Sequence, residues 1–383
     1  MMPTALLGAR IFDGRRFHAD AALIVSGKEI LGIVPHGDVP SGALRRDCGG
    51  LLLAPGFVDW QVNGGGGVHL NQVPTVEGLR TIADAHAAFG TTALLPTVIT
   101  DAPAVTAAAA AAVAEAIAAG LPGVVGIHFE GPHISPERPG IHAPQFIRPM
   151  APADFERLTR RDLGRVVATL APEVVGAETI ERLDRAGVVV SAGHSNASFE
   201  AARRAFAAGV RAVTHLFNAM SPLHHREPGL VGAALLDRRV TCGLILDGHH
   251  VHAAAFETAF RLRPPERMTL VTDAMSTVGT DLDGLELHGR RILRQDGRLC
   301  AEDGTLAGSD LDMASAVRFA VRRLGIEPAS ALRMASLHPA QLLGLAGRRG
   351  HFGPGAFADI VALDDDLFVR AVWRKGEAFR GRP

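Results

Sequence analysis

From residue 51 onward the chain alternates near-continuous apolar runs with alanine-rich stretches of helical period, and this alternation restricts its fold more than any other feature. Apolar runs at 51–59, 92–98, 124–129, 166–170, 188–192, 212–216, 241–246 and 268–272 read as strands buried on both faces. Helical patterns fill the gaps at 75–89, 103–119, 177–186, 197–208 and 253–261. Eight such strands with helical crossovers predict an α/β protein built on a (β/α)8 barrel of the TIM type. The main competitor is a doubly wound open sheet. That fold usually has fewer strands and a glycine-rich phosphate turn after the first. Here Gly64-Gly-Gly-Gly67 follows the first run but spells neither GxGxxG nor a P-loop.

The two ends of the chain have a different texture. Residues 1–50 hold short apolar runs separated by Asp13-Gly14, Ser26-Gly27 and His36-Gly37, with no helical period. The same pattern returns after 350, with a turn at Gly353-Pro-Gly355. Neither end carries enough apolar residues to fold alone. The expectation is one small flanking β-sandwich domain from residues 1–52 plus 346–383, beside a catalytic barrel at 53–345. A formal net charge of -1 argues against a nucleic-acid partner or an anionic membrane surface. Cys48, Cys242 and Cys300 lie far apart and form no CxxC pair, which fits a reducing cytoplasm and no cysteine zinc site. Residues 1–16 lack a signal-peptide pattern. The alanine-rich stretch at 102–119 contains Glu115 and reads as a helix of a globular protein, so no membrane partner is expected.

In such a barrel the active site lies at the C-terminal ends of the strands. Read in order, those ends carry Gln61 and Asn63, Pro96-Thr97, Glu130, Pro172-Glu173, His194, His215, Asp247 with His250, and Asp273. A lone histidine at a strand end is usually a hydrogen-bonded structural residue; the joint pattern is what points to chemistry. Glu130, His194 and His215 supply one carboxylate and two imidazoles, a recurring set for one catalytic zinc, and iron, cobalt or manganese suit the same donors. Asp273, ending Leu270-Val-Thr-Asp273, is placed to move a proton between an activated water and a leaving amine.

Several segments resemble the N-acetylglucosamine-6-phosphate deacetylase family of the amidohydrolase superfamily. They are Gly126-Ile-His-Phe-Glu-Gly-Pro132, Ser191-Ala-Gly-His-Ser195, Thr214-His-Leu-Phe-Asn-Ala-Met220, Arg226-Glu-Pro-Gly229 and Val271-Thr-Asp-Ala274. Ala54-Pro-Gly-Phe-Val-Asp59 and Gly353-Pro-Gly-Ala-Phe-Ala-Asp359 match more general superfamily patterns. The resemblance implies hydrolysis of the acetamide of N-acetylglucosamine 6-phosphate. It implies Glu130, His194 and His215 as metal ligands, Asp273 as acid/base, and His142 as the histidine that polarises the carbonyl. Asn218, Ala219, Arg226 and His250 resemble the group that holds the sugar phosphate, and Leu306 the wall beside the acetyl group. It further implies a homodimer whose phosphate contacts are shared across the interface, with Arg226 and His250 as candidates.

Two departures from the wider superfamily narrow the metal site. The stretch that is His-x-His in many members is Gln61-Val-Asn63 here, so a second ion at Gln61 and Asn63 should be weak or absent. The only lysines, Lys28 and Lys375, lie outside the expected barrel, which excludes a lysine-bridged pair of metals. Alternative readings are another N-acyl sugar phosphate as substrate, or a non-catalytic sugar-phosphate-binding barrel.

Overall fold

The computed structural model describes residues 2–379. Eight parallel strands form one continuous sheet: β1 (Phe57–Val62), β2 (Thr91–Ile99), β3 (Gly126–Glu130), β4 (Arg165–Leu170), β5 (Val189–Ala192), β6 (Ala212–Val213), β7 (Thr241–Leu244) and β8 (Met268–Leu270). They neighbour one another in sequence order, and helices pack outside, as the alternation of apolar runs predicts. Nearly every strand residue is buried because side chains on one face fill the barrel and those on the other meet the helices. Inside, Trp60 donates through Nε1 to Thr269 Oγ1 at 3.1 Å. Gly243 on β7 leaves the room this ring needs, since a Cβ there would lie 2.6 Å from Trp60 Cζ2.

The helices start where their sequences allow. Thr75, Ser198 and Asp312 each accept a hydrogen bond from an amide in the first turn of the helices Val76–Ala87, Phe199–Ala208 and Met313–Arg322. Among the described residues no helix is long and apolar enough to cross a membrane.

The apolar run at 51–59, expected as one strand, is two. Leu52–Pro55 pairs antiparallel with Ile360–Leu363 and parallel with Arg10–Phe12, in a six-stranded sheet drawn from both ends of the chain. Gly56 separates it from β1. A Cβ on Gly56 would sit 2.3 Å from Thr92 Oγ1, so only glycine lets the chain pass this close to β2 as it leaves one sheet for the other. A second, four-stranded sheet, formed by Glu29–Pro35, Ala21–Ser26, Thr4–Leu7 and Leu44–Asp47, completes this flanking region.

An antiparallel insert follows β8 that hydrophobic periodicity does not announce. Its strands are Gly284–Leu287, Arg290–Gln295, Arg298–Ala301 and Leu306–Ser309. The local signals are His288-Gly289 (φ 49° and 74°) and Asp296-Gly297 (φ 51° and 77°), left-handed pairs that make its two two-residue hairpin turns. Leu287, Ile292 and Leu299 of the insert pack with Ile99 and Met275, at the C-terminal end of the barrel.

The barrel closes between β8 and β1 over a short seam. Asp273 N donates to Gln61 O, and the amides of Asn63 and Gly64 both donate to Ala274 O, each at 2.9 Å. Asp59, fully buried on β1, takes Thr272 Oγ1 on Oδ2 at 2.6 Å, the Thr272 amide at 3.3 Å and the Gln61 amide on Oδ1 at 3.2 Å. Burial pushes its carboxyl up to about 7 against the pull of these donors. Replacing Asp59 by alanine strands those donors in the interior, at about 1–3 kcal/mol for each unpaired group. The expected result is a lower denaturation midpoint for Asp59→Ala, and a smaller effect of the same change in a Thr272→Val background, measured as a double-mutant cycle.

Candidate metal centre and active site

Each of the main polar residues stands where a strand turns into its loop. Glu130 is the last residue of β3, and His194, His215 and Asp273 follow β5, β6 and β8 by two or three residues. The last three have φ of 46°, 35° and 53°. A non-glycine residue in the left-handed region costs on the order of 1–3 kcal/mol, a strain that collects at functional sites. These sharp turns aim all of the side chains at one point above the barrel mouth.

Glu130 Oε1 lies 3.1 Å from His215 Nε2 and 3.3 Å from His194 Nε2, and the two imidazole nitrogens are 3.0 Å apart. The donor atoms of all three residues fall within 4.8 Å of one another, the one such group of three found among the described residues. Two nitrogen lone pairs and a carboxylate converging at this spacing need a positive charge between them, which fits a divalent cation. His194 gives its Nδ1 proton to the Arg138 carbonyl at 3.0 Å, which leaves Nε2 bare for the centre. Burial pushes the Glu130 carboxyl up, but the facing imidazoles of His194 and His215 outweigh it and hold the group well below its usual range.

Asp273 faces this group and behaves in the opposite way. Burial first, and the charge of Glu130 second, push its carboxyl up to about 6. Asn63 Nδ2 donates to Asp273 Oδ1 at 2.7 Å, and Gln61 Nε2 bridges Glu130 Oε1 and Asp273 Oδ1 at 3.0 and 3.1 Å. Between two carboxylates an amide must present its nitrogen, so both amides act as donors here.

The cavity above is walled by residues 137–142 on one side and by the insert residues Leu306, Ala307 and Gly308 on another. His142 is buried in that wall, its Nδ1 2.7 Å from Thr100 Oγ1 and its ring centroid 4.3 Å from that of His194. Burial pushes its basicity well below the ordinary histidine range, so the ring is neutral. Asn218, Ala219 and His250 also line the cavity. His250 is held by Asp247 Oδ2 on Nδ1 at 2.6 Å and by the Ala307 carbonyl on Nε2 at 3.0 Å, so its own chain fixes both nitrogens. Arg226 is exposed and does not line this cavity.

The structure adds residues that strand-end reading passes over. β2 runs to Ile99, so Thr100 and not Thr97 stands at the mouth. Thr97 lies within the barrel, accepting from the Val62 amide at 2.8 Å and meeting His128 Nδ1 at 3.2 Å. His128 in turn bonds Thr169, and Thr169 meets Thr214, in a buried polar belt beneath the centre. Glu173 turns aside to bind Ser195 Oγ and the Asn196 amide.

A closed parallel barrel with a carboxylate and two imidazoles at its C-terminal mouth defines a hydrolase of the amidohydrolase type. The sequence profile of the amidohydrolase family matches residues 52–379. The chain is 48% identical to an N-acetylgalactosamine-6-phosphate deacetylase of Shewanella sp. (strain ANA-3) over 328 residues, 86% of this chain and 83% of that protein. It is 40% identical to the human N-acetylglucosamine-6-phosphate deacetylase over 349 residues, 87% and 84% of the two chains. The crystal structure of the N-acetylglucosamine-6-phosphate deacetylase from Pasteurella multocida superposes with a TM-score of 0.95 at 33% identity, covering 98% of this chain and 99% of that one. The chain belongs to the amidohydrolase family, within its amino sugar phosphate deacetylases, and is a hydrolase of amide bonds.

If Glu130, His194 and His215 share one cation, neutralising the carboxylate removes the only anionic ligand. Glu130→Gln should then lower metal affinity by more than the ~10–100-fold typical for loss of an outer partner. Elemental analysis after dialysis measures this, and metal retention equal to the wild type would remove Glu130 from the ligand set.

Proposed function

We propose that the chain hydrolyses the acetamide of N-acetylglucosamine 6-phosphate, giving glucosamine 6-phosphate and acetate. The observation that carries this reading is the convergence of Glu130, His194 and His215 opposite Asp273, with His142 in the cavity wall beside His194. The 4-epimer, N-acetylgalactosamine 6-phosphate, is a second reading favoured by the 48% identity to a deacetylase of that name. Glu130, His194 and His215 would hold a divalent ion, zinc before iron, cobalt or manganese, which would lower the pKa of a nearby water and polarise the acyl carbonyl.

The chain's own residues do the rest. His142 donates from Nε2 to the acyl oxygen as negative charge gathers there. Donors placed this way are commonly worth about 3–4 kcal/mol of barrier. Asp273 takes the proton of the attacking water. Both amide bonds to Asp273 land on Oδ1, so Oδ2 is the oxygen left for that proton. The hydroxyl joins the acyl carbon, the C–N bond breaks, and Asp273 returns the proton to the amine nitrogen. The apolar Leu306 and Ile245 in the cavity wall suit the acetyl methyl. Asn218 and the Ala219 backbone hold the sugar phosphate, while His250, whose two nitrogens are taken by Asp247 and the Ala307 carbonyl, shapes the cavity beside them. Arg226 lies outside its own chain's cavity and would serve a neighbour's phosphate in a homodimer, where its planar fork suits that anion.

Acetate release from both epimers by the metal-loaded protein tests this reading. Asp273 must be ionised to accept a proton, and its carboxyl is pushed up to about 6. A bound cation would bring it lower, so turnover should fall as the pH drops below about 6 and Asp273 becomes protonated. Asp273→Asn should keep the metal and lose turnover by orders of magnitude. No acetate from either sugar phosphate, or near-normal turnover by the variant, would defeat the proposal.

A further inference from the structure

We propose that Thr100 is a positioning residue for the deacetylation, setting which nitrogen of His142 carries the proton and holding that ring to the barrel. The inference rests on the role of His142 proposed above.

His142 sits in the irregular wall at residues 137–142, where nothing in regular secondary structure fixes its side chain. Its imidazole has one side-chain hydrogen bond, between Nδ1 and Thr100 Oγ1 at 2.7 Å. Thr100 stands on the rigid barrel, one residue beyond β2, and is fully buried. Its hydroxyl has a single proton and two candidate acceptors, His142 Nδ1 at 2.7 Å and the Glu130 carbonyl at 3.4 Å. The second contact is at the limit of hydrogen bonding, so the proton belongs on the first. Nδ1 is then the acceptor, and a neutral ring must carry its own proton on Nε2, the nitrogen left for the cavity. That tautomer can donate to an acyl oxygen; the other one cannot.

The surrounding backbone preserves the space for this hydroxyl. Gly131 has φ 81°, and a Cβ on it would lie 2.1 Å from Thr100 Oγ1. Any side chain at 131 would displace the hydroxyl from His142. Glycine at the turn after β3 therefore serves the contact between Thr100 and His142 as well as the turn itself.

The test uses the metal-loaded full chain. Thr100→Val removes the hydroxyl and keeps the shape, Thr100→Ser restores the hydroxyl, and Thr100→Ala covers the case in which valine does not fold. The expected result is a fall in kcat of about 10–100-fold for Thr100→Val, with KM and metal content little changed and serine recovering most of the rate. Combined with His142→Ala, Thr100→Val should add almost nothing, because the two act as a unit. In spectra of protein labelled with 15N-histidine, His142 should be a single Nε2–H tautomer in the wild type and a mixture in Thr100→Val, its signals assigned by their loss in His142→Ala. Wild-type kcat in Thr100→Val, additive losses, or an unchanged tautomer would overturn the inference. The spectra also separate this question from substrate identity: if neither sugar phosphate is cleaved, the functional reading fails while the tautomer still decides the role of Thr100.

Discussion

The short seam between β8 and β1 is the contact on which the rest of the structure depends. The other seven junctions of the barrel are strand ladders, but this one is a few bonds near the C-terminal end. Asp59 gathers Thr272 there, the Gln61 carbonyl takes the Asp273 amide, and the next residues pair through Ala274. The side chains of Gln61 and Asn63 then reach Asp273 from the same stretch. Closing the barrel and aiming Asp273 are one event. A barrel sprung at this point would lose the carboxylate's position before it lost its core.

The same stretch sets the charge pattern of the mouth. Two buried carboxylates face the same space, and their environments drive them apart. Glu130 meets two imidazoles and stays ionised, whereas burial and the field of Glu130 push Asp273 up to about 6 against the hydrogen bond from Asn63. Such a divergence is what the proposed division of labour requires, with one group to hold a cation and one to exchange a proton. Neutral donors on Asp273 matter to this balance. A lysine or arginine in place of Gln61 would hold Asp273 ionised and make it a poor proton donor to a leaving amine.

Much of this was legible in the sequence because a buried strand is a continuous apolar run, and a lone polar residue at its end stands out. Glu130, His194, His215 and Asp273 are all of that kind. Thr100 is not, because Thr97 interrupts the same run three residues earlier and makes the strand seem to end there. Thr97 is tolerated inside the barrel because the polar belt of His128, Thr169 and Thr214 satisfies it. The first strand fails in the converse way. Leu52–Pro55 and Phe57–Val62 are both apolar, and only the close approach of Gly56 to Thr92 reveals that they belong to different sheets. The insert at 284–309 has a half-buried face and many charges, so its strands carry a weak apolar signal. The placing of Arg226 outside the cavity and His250 inside it has no signature in periodicity at all.

The amides also explain, in physical terms, why one cation suits this mouth. Gln61 and Asn63 point their nitrogens at the carboxylates, while Gln61 Oε1 and Asn63 Oδ1 are buried without a protein partner. For those oxygens to reach a second ion lying between Glu130 and Asp273, both amides would have to turn and abandon their bonds to the carboxylates. Asp273 would then lose the donors that fix it, and the ion would compete for the carboxylate proposed as the proton carrier. No lysine is available to bridge a pair of ions, since Lys28 lies in a turn of the flanking sheet and Lys375 sits over Phe357. The hydrogen bonds that hold Asp273 for the proposed proton transfer are thus the same ones that disfavour a dinuclear centre.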